Sequence, residues 1–415
     1  MPATAIAAGL GHTCALTKAG GVKCWGYNGH DELGTGQTGD SSTPVDVSGL
    51  SSGIKAIAVG VRHSCALTSA GGVKCWGFNR GALGDGTADR RRTPVDVLGL
   101  GGGVTAVAAG NDTGCALTQA GGVKGWGGGS GLAPVDVPGL TGGVKAIAAD
   151  SLRTCALTSA GGVECWGSNL VSVNVRGLSS GVTAITGSCA LTSSGGVQCW
   201  GKDLQAGDVH GLNSGVTAIA STFHSCALLT SGRVKCWGVN EFGELGDGTK
   251  VDRSTPVDVV GLSGAVRAIA VGSFHSCALM RGGGAVECWG NNDAGQLGDA
   301  TTVNRLRPVE VVGFGTAKPA VAIVARSVTV TRAGVAAIGL RCATAARCRG
   351  TLTLTSRRAK LGSRAFSIPA GAARAVAVKL TPRGFALLVR SKRLSARVVV
   401  FGATTATRTI TLVAP

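Results

Sequence analysis

Along residues 1–313 one hydrophobic–polar pattern returns seven times. Each copy carries four short runs that fit strands: apolar or alternating segments, bounded by Gly-rich turns. One set is Pro44–Val47, Ile54–Val59, His63–Thr68 and Gly72–Trp76. The last two runs are separated by a few residues including Gly, which predicts a hairpin. Strict alternation within the third run places Cys65 and Leu67 on one face and Ala66 on the other. The seven Trp, at 25, 76, 126, 166, 200, 237 and 289, each precede a Gly, once per copy. Seven four-stranded units predict a seven-bladed β-propeller.

The phase of the pattern suggests how such a ring closes. The first copy opens on its second run, Thr4–Ala8, and the region ends on an extra first run, Pro308–Val312. Joining the two in one shared sheet would remove two exposed edges. An open solenoid would leave an incomplete sheet at one end and an unpaired strand at the other.

From Lys318 the Trp pattern stops. Short alternating segments follow at Ser327–Thr331, Ala336–Arg341, Gly350–Thr355, Arg374–Leu380, Ser395–Phe401 and Thr407–Val413, with Phe385–Arg390 reading as one helical turn. They predict a small immunoglobulin-like β-sandwich. The expected fold is therefore all-β, with a propeller over 1–315 and a sandwich over 316–415.

Composition and charge sharpen that division. Gly is abundant at 69 residues, as many tight turns require. The net charge is +18, and residues 318–415 hold eighteen Lys and Arg with no Asp or Glu. The propeller region is thus neutral and the tail carries the whole excess. Such a tail suits polyanions, including an anionic cell-surface polymer. Arg and Ala enrichment from a GC-rich genome, with simple solubility, accounts for it equally. With only Phe366, Phe385 and Phe401 for stacking, specific nucleic-acid binding is not expected. No apolar run reaches membrane-spanning length, so no membrane span is expected either. Met1 runs directly into Pro-Ala-Thr-Ala-Ile, without a signal peptide, so the chain is cytoplasmic or a leader lies upstream.

The cysteines bear on compartment. Six copies hold a pair: Cys14/Cys24, Cys65/Cys75, Cys155/Cys165, Cys189/Cys199, Cys226/Cys236 and Cys277/Cys288. A seventh pair, Cys342/Cys348, lies in the tail, and Cys115 faces Gly125 where a partner is expected. Across a hairpin such pairs can reach bonding distance. Reduced Cys packed as small apolar residues is the alternative. Disulfides would imply an oxidising compartment, extracellular or at the cell surface. The spacing offers no zinc site.

Candidate chemistry is sparse. His12, His63, His224 and His275 share one repeat position, which suits a structural bond to neighbouring backbone better than catalysis. The Asp85–Thr87 and Asp247–Thr249 pieces hold too few acids for a calcium loop and read as turns. No nucleophile elbow, phosphate loop or zinc-protease motif occurs. No cofactor is expected, and the chain reads as a non-enzymatic monomer.

Loop length is more informative. The Trp-to-Trp spacings are 51, 50, 40, 34, 37 and 52, so the long loops follow Trp25, Trp76, Trp237 and Trp289. In a closed ring these four are neighbours and form a crescent on one rim. It carries Tyr27, His30, Phe78, Arg80, Arg90, Arg91, Arg92, Phe242, Arg253, Asn292 and Arg305. Aromatic and Arg side chains are favoured interface anchors, so a protein or glycan partner is expected there, at residues such as Arg90–Arg92 between the framework positions. The alternative is that Asn-x-x-Gly-x-Leu-Gly merely folds each loop back on its blade, which accounts for most of the loop.

The pattern Gly-x-x-His-[Ser/Thr]-Cys-Ala-Leu, then Val-x-Cys-Trp-Gly-x-Asn-x-x-Gly-x-Leu-Gly-Asp-Gly-Thr, is fullest in Gly272–Thr301 and Ser221–Thr249. It resembles the bacterial form of the regulator of chromosome condensation repeat family, over about three quarters of the chain. The resemblance implies a propeller that acts by protein contact. Members include an exchange factor for a small GTPase and a secreted inhibitor of β-lactamase. Three functions therefore stay open: an exported or surface-located binding scaffold with a cationic docking domain, a GTPase exchange factor or regulator, and a secreted hydrolase inhibitor. The insertion that the exchange factor uses has no counterpart here, so that activity is not carried over.

Overall fold

A computed structural model of the chain describes residues 1–151, 153–167, 169–314, 321–324, 327–342, 348–356, 359–369, 372–401 and 406–415. The chain divides into two compact units, Met1–Thr316 and Ala317–Pro415. The boundary expected between 315 and 316 lies outside the described residues.

The first unit is a seven-bladed propeller. Blade 1 is a four-stranded antiparallel sheet of Ala3–Ala8, His12–Thr17, Val22–Gly26 and Ser41–Asp46, in that order. The others repeat it: blade 2 runs from Ile54–Val59 to Arg91–Asp96, blade 3 from Val104–Ala109 to Val135–Asp136, and blade 4 from Val144–Ala149 to Val173–Asn174. Blade 5 runs from Val182–Ile185 to Ala206–Asp208, blade 6 from Val216–Ser221 to Arg253–Asp258, and blade 7 from Val266–Val271 to Arg305–Glu310. The first strands of all seven line a central channel of about 440 Å³.

This order corrects the expected closure. The segment containing Val309 pairs with the Trp strand of its own blade, Cys288 opposite Val309, and not with the segment containing Ile6. Each Pro-Val-Asp run is the outer strand of the blade before it, reached by the loop that follows Trp. Every blade is thus complete within one stretch of chain. The ring still closes, because blade 7 packs against blade 1 face to face: Ala3, Ala15 and Trp25 share a core with Cys277, Leu279, Cys288 and Leu297.

Alternation explains why blades stack. Cys65 and Leu67 face blade 3, and Ala66 and Trp76 face blade 1. The same division holds around the ring, giving one apolar core per junction. The facing Ala is fully buried in every blade, from Ala15 to Ala278. Only so small a side chain leaves room for the cysteine pair of the neighbouring sheet.

Those pairs are disulfides: Cys14–Cys24, Cys65–Cys75, Cys155–Cys165, Cys189–Cys199, Cys226–Cys236 and Cys277–Cys288, with Cα atoms 4.0–4.1 Å apart. The partners sit directly opposite on adjacent strands. In blade 3 Cys115 lies opposite Gly125, buried and unbonded. Burial pushes its thiol up to about 12, against a smaller opposing effect from the Ala108 backbone, so it stays protonated and unreactive.

The second unit has two sheets around one core. A three-stranded sheet orders Val321–Ile323, Val335–Cys342 and Ala373–Lys379. A five-stranded sheet orders Ser327–Thr329, Ala406–Val413, Arg393–Phe401, Cys348–Ser356 and Ala359–Ile368. Cys342 is bonded to Cys348. A helix, Pro382–Ser391, is longer than the single turn expected; Thr381 caps it by accepting from the Gly384 amide. No helix among the described residues is long and apolar enough to cross a membrane.

Candidate partner-binding rim

The loops after the Trp strands and the turns before the His strands lie at the same end of every blade. At that end the four long loops are built alike. A buried Asn organises each one: Asn240 accepts from the Leu245 amide and donates to Asp247, Thr249 and Val251. Asn28, Asn79 and Asn292 do the same work. Asn292 is fully buried, so the crescent does not present it to a partner.

The organised loop reaches across to the next blade. Its Leu (Leu33, Leu83, Leu245 or Leu297) is buried in the junction core. One carbonyl accepts the indole N–H of the next Trp: Glu32 from Trp76 at 2.8 Å, Ala82 from Trp126 at 2.8 Å, Glu244 from Trp289 at 2.7 Å and Gln296 from Trp25 at 2.9 Å. The Gly two residues on has φ near +65°, and a side chain there would strike the indole. We call this contact a latch.

The repeat histidines belong to the latches. His12 Nε2 meets Ser64 Oγ at 2.9 Å, His224 meets Ser276 at 2.6 Å, and His275 meets Thr13 at 2.8 Å. The hydroxyl in turn donates to the latch carbonyl. The expected bond to backbone is thus made through a side-chain hydroxyl on the next blade. His63 lacks that partner because blade 3 has Gly114 at the position. The backbone of Asn111 and Thr113 faces its ring instead, without bonding either nitrogen. Burial drives all four imidazoles down, His12 and His224 to about 3 and His63 and His275 to about 4. They are neutral at any physiological pH, which suits a structural role and not acid–base catalysis. Burial likewise pushes the Glu32 carboxyl up to about 7 and raises that of Glu244.

The rim residues singled out by sequence separate into two groups. Arg91, Arg253 and Arg305 are held within their own loops, paired with Asp85, Asp247 and Asp299 at 2.7–3.2 Å. Burial raises these carboxyls, but hydrogen bonds from the neighbouring Thr and Arg outweigh it and hold them low. Arg92 lies 3.6 Å from Asp31 of the neighbouring loop, and Arg90 donates to the Gly29 carbonyl.

The second group forms a partly exposed surface across blades 1 and 2, with Tyr27 and Arg80 exposed and His30, Arg62 and Phe78 half-buried. His30 stands between Tyr27 and Phe78, with ring centroids 5.9 and 5.1 Å apart. Arg62 and Arg80 lie over the Phe78 ring at 5.4 and 5.7 Å. Each such contact contributes about 0.5–1 kcal/mol where exposed. Across blades 6 and 7, Phe242 packs on Phe274, which packs on Phe223. Sequence reasoning missed Arg62, Phe223 and Phe274. The available signal was the residue before each repeat His, which is cationic or aromatic in three of four copies. In the second unit a cleft on the larger sheet is lined by Arg390, Arg393 and Arg397 with Thr355 and Ser395. Among the described residues no group of acids, His and Cys is arranged to hold a metal ion.

The comparisons with known proteins agree with this architecture. The model of the regulator of chromosome condensation (RCC1) repeat matches residues 19–67, 231–279 and 284–326, and a second model of that repeat matches 3–32, 54–81 and 266–296. The ultraviolet-B receptor UVR8 of Arabidopsis thaliana is 38% identical over 76 residues, 18% of this chain and 17% of the receptor. Ras guanine nucleotide exchange factor C of Dictyostelium discoideum is 41% identical over 73 residues, 17% of this chain and 5% of that protein. The matched stretches thus span less than a fifth of either relative. Among solved structures, Prp20p from Saccharomyces cerevisiae superposes with a TM-score of 0.62 at 20% identity, covering 78% of this chain and 90% of its own. Yeast RCC1 (Prp20) bound to Kap60 gives 0.62, again at 20% identity, covering 73% and 86%. At that identity the likeness is one of fold. Repeat models, strand order and neighbouring folds coincide: the chain carries regulator of chromosome condensation repeats within residues 3–81 and 231–326, on a propeller of the fold seen in Prp20p.

Proposed function

We propose that the protein is a non-enzymatic binding scaffold whose rim over blades 1 and 2 engages a protein or glycan partner. The observation that carries this reading is the cluster of Tyr27, His30 and Phe78 with Arg62 and Arg80, set on loops braced by latches. Amphipathic rings and guanidiniums on a rigid support suit recognition with little ordering cost. The described binding of Prp20p to Gsp1p and histones supports partner recognition by such propellers in general. Affinity capture with the intact chain and with Phe78→Ala/Arg80→Glu tests it. The variant is expected to lose the partner at unchanged melting temperature; equal capture by both overturns the reading.

The cationic unit docks the scaffold on an anionic surface polymer through the Arg390–Arg397 cleft. Retention on such a polymer should fall steeply with salt, and salt-independent retention counts against it. Its strand order supports an immunoglobulin-like assignment: the opening segment pairs first in the smaller sheet, then parallel to the last strand in the larger. Export is supported by seven disulfides. Fully reduced thiols in protein from its native compartment would contradict it. The second reading, a regulator of a small GTPase, draws on the matched segment of the Dictyostelium exchange factor. Accelerated nucleotide release from a purified GTPase would favour it.

A further inference from the structure

In three latches one loop carbonyl receives two donors from the next blade, a hydroxyl and an indole. Ser64 and Trp76 meet on Glu32 at 3.3 and 2.8 Å, Ser276 and Trp289 on Glu244 at 3.0 and 2.7 Å, and Thr13 and Trp25 on Gln296, both at 2.9 Å. In each case the two donors stand opposite one another in the strand register. Blade 4 carries the same pair in the same register, Thr154 opposite Trp166. The loop that would supply their carbonyl is too short. After Trp126 the chain turns back at once, with the Gly127 amide bonded to the Gly131 carbonyl at 2.9 Å. Among the described residues neither the Thr154 hydroxyl nor the Trp166 indole N–H has a partner.

The other two short-looped junctions dispose of their hydroxyls. Ser188 of blade 5 and Ser225 of blade 6 both bond Ser221, at 2.9 and 2.8 Å. The junction of blades 3 and 4 keeps an open cleft of about 230 Å³ at the two donors, lined by Asp112, Thr113, Asp150, Arg153, Thr154 and Trp166. Its apolar half is filled from behind: Leu170 packs into the core beside Trp166 and against Gly125. Its polar half presents two donors for one oxygen, with the Asp112 Oδ1 acceptor buried and unpartnered beside them. A peptide backbone offers that complement, a carbonyl and an adjacent N–H.

We propose that this cleft binds the main chain of a Gly-bearing surface turn of a partner protein, which supplies from outside the latch that the short loop omits. The site is separate from the aromatic rim of blades 1 and 2 and does not depend on it. The internal latches define the ligand: the occupant carbonyl sits between hydroxyl and indole, and its neighbouring amide donates to Asp112. Gly is needed because in all four latches a side chain two residues after the carbonyl would collide with the indole.

The test uses the full chain, 15N-labelled, and a peptide copying Asn240–Gly248, the latch of blade 6, with Ala at the position of Leu245 because Leu170 already fills that space. Trp166→Phe identifies the Trp166 indole resonance by its loss. Titration of the parent chain is expected to move that resonance and leave the Trp289 indole, already latched, in place. Thr154→Val, which keeps side-chain shape, should weaken peptide binding about tenfold, in line with one hydrogen bond. A peptide with Ala at the position of Gly246 should not bind. No selective movement of the Trp166 signal at millimolar peptide, or equal affinity for Thr154→Val, overturns the proposal. Self-association of the chain that Trp166→Phe abolishes would also overturn it, by assigning the cleft to a second copy.

Discussion

Blades 6, 7, 1 and 2 and blades 3, 4 and 5 share one sheet plan and differ in how they are tied to their neighbours. The first group sends a loop across each following junction, buries a Leu there and binds an indole N–H. The second group sends nothing. Two of its three junctions borrow a Leu from the next blade's own loop, Leu170 and Leu204, each with a positive φ, 56° and 55°. Trp200 keeps a buried indole N–H with no partner. All four repeat histidines lie in the first group, and the unpaired Cys115 lies in the second. One ring thus contains a braced arc and an unbraced one, set by loop length, with the three inner strands much alike and the outer strand cut to two or three residues in the unbraced arc. Local opening free energies should differ accordingly, with amide exchange fastest in blades 3–5.

Acid is the strongest way to disturb that contrast, because it strikes the braced arc. The folded imidazoles titrate near 3–4, well below the ordinary value of 6.5. Their contribution is complete above pH 6.5 and declines as pH falls toward 4, by about 1.4 kcal/mol per pH unit for each imidazole. Glu32 acts in the opposite sense. Its carboxyl is raised to about 7, so its contribution is complete below 4.5 and lost as pH rises through 7. Four imidazoles outnumber the two raised carboxyls of Glu32 and Glu244, so urea stability is expected to fall on acidification from pH 6.5. A flat profile from pH 7 to 4 would show that the histidines are not held neutral.

Removing a disulfide from the unbraced arc comes next. Cys155→Ala/Cys165→Ala is expected to cost about 2–3 kcal/mol and to speed exchange mainly in blades 3–5. A uniform change around the ring would mean that the arcs are not independent. The reverse change, Gly125→Cys, offers Cys115 its missing partner and about 2 kcal/mol of gain at most. The new side chain meets Leu170 at 3.1 Å and Val137 at 3.4 Å, so part of that gain is lost in moving them. Thermal melting with and without reductant reports the balance.

The smallest effect discriminates best. Trp289→Phe and Trp200→Phe remove the same N–H, one latched and one unpartnered. Both shrink a buried ring, so the first is expected to lose about 1 kcal/mol more than the second. Equal losses would remove the latch as a source of stability.

Sequence made the blades legible because alternation, Trp spacing and paired Cys each report local geometry. It misplaced the seam because the phase of a circular repeat is not a local property. Pro308–Val312 looks the same whether it pairs with the strand before it or with the start of the chain, and only the path of the preceding loop decides. The rim was legible as far as loop length allowed. Tyr27 and Phe78 could be placed on it from their loops, whereas Arg91, Arg253 and Arg305 resemble free cations until each is seen beside an Asp six residues upstream. His30 and Arg62 acquire meaning only through Phe78, and the His30 contact crosses from one blade to the next, beyond any short-range pattern. The latches were missed for the same reason, since acceptor and donor lie 44 or 45 residues apart in Glu32–Trp76, Ala82–Trp126 and Glu244–Trp289.

Each sheet here is drawn from one uninterrupted stretch of chain. A recombination event between two repeats therefore inserts or deletes a whole blade and leaves no strand without its sheet. It also means that no junction is privileged as the place where the polypeptide starts, so a permuted gene opened at the bare interface of blades 3 and 4 should encode the same ring.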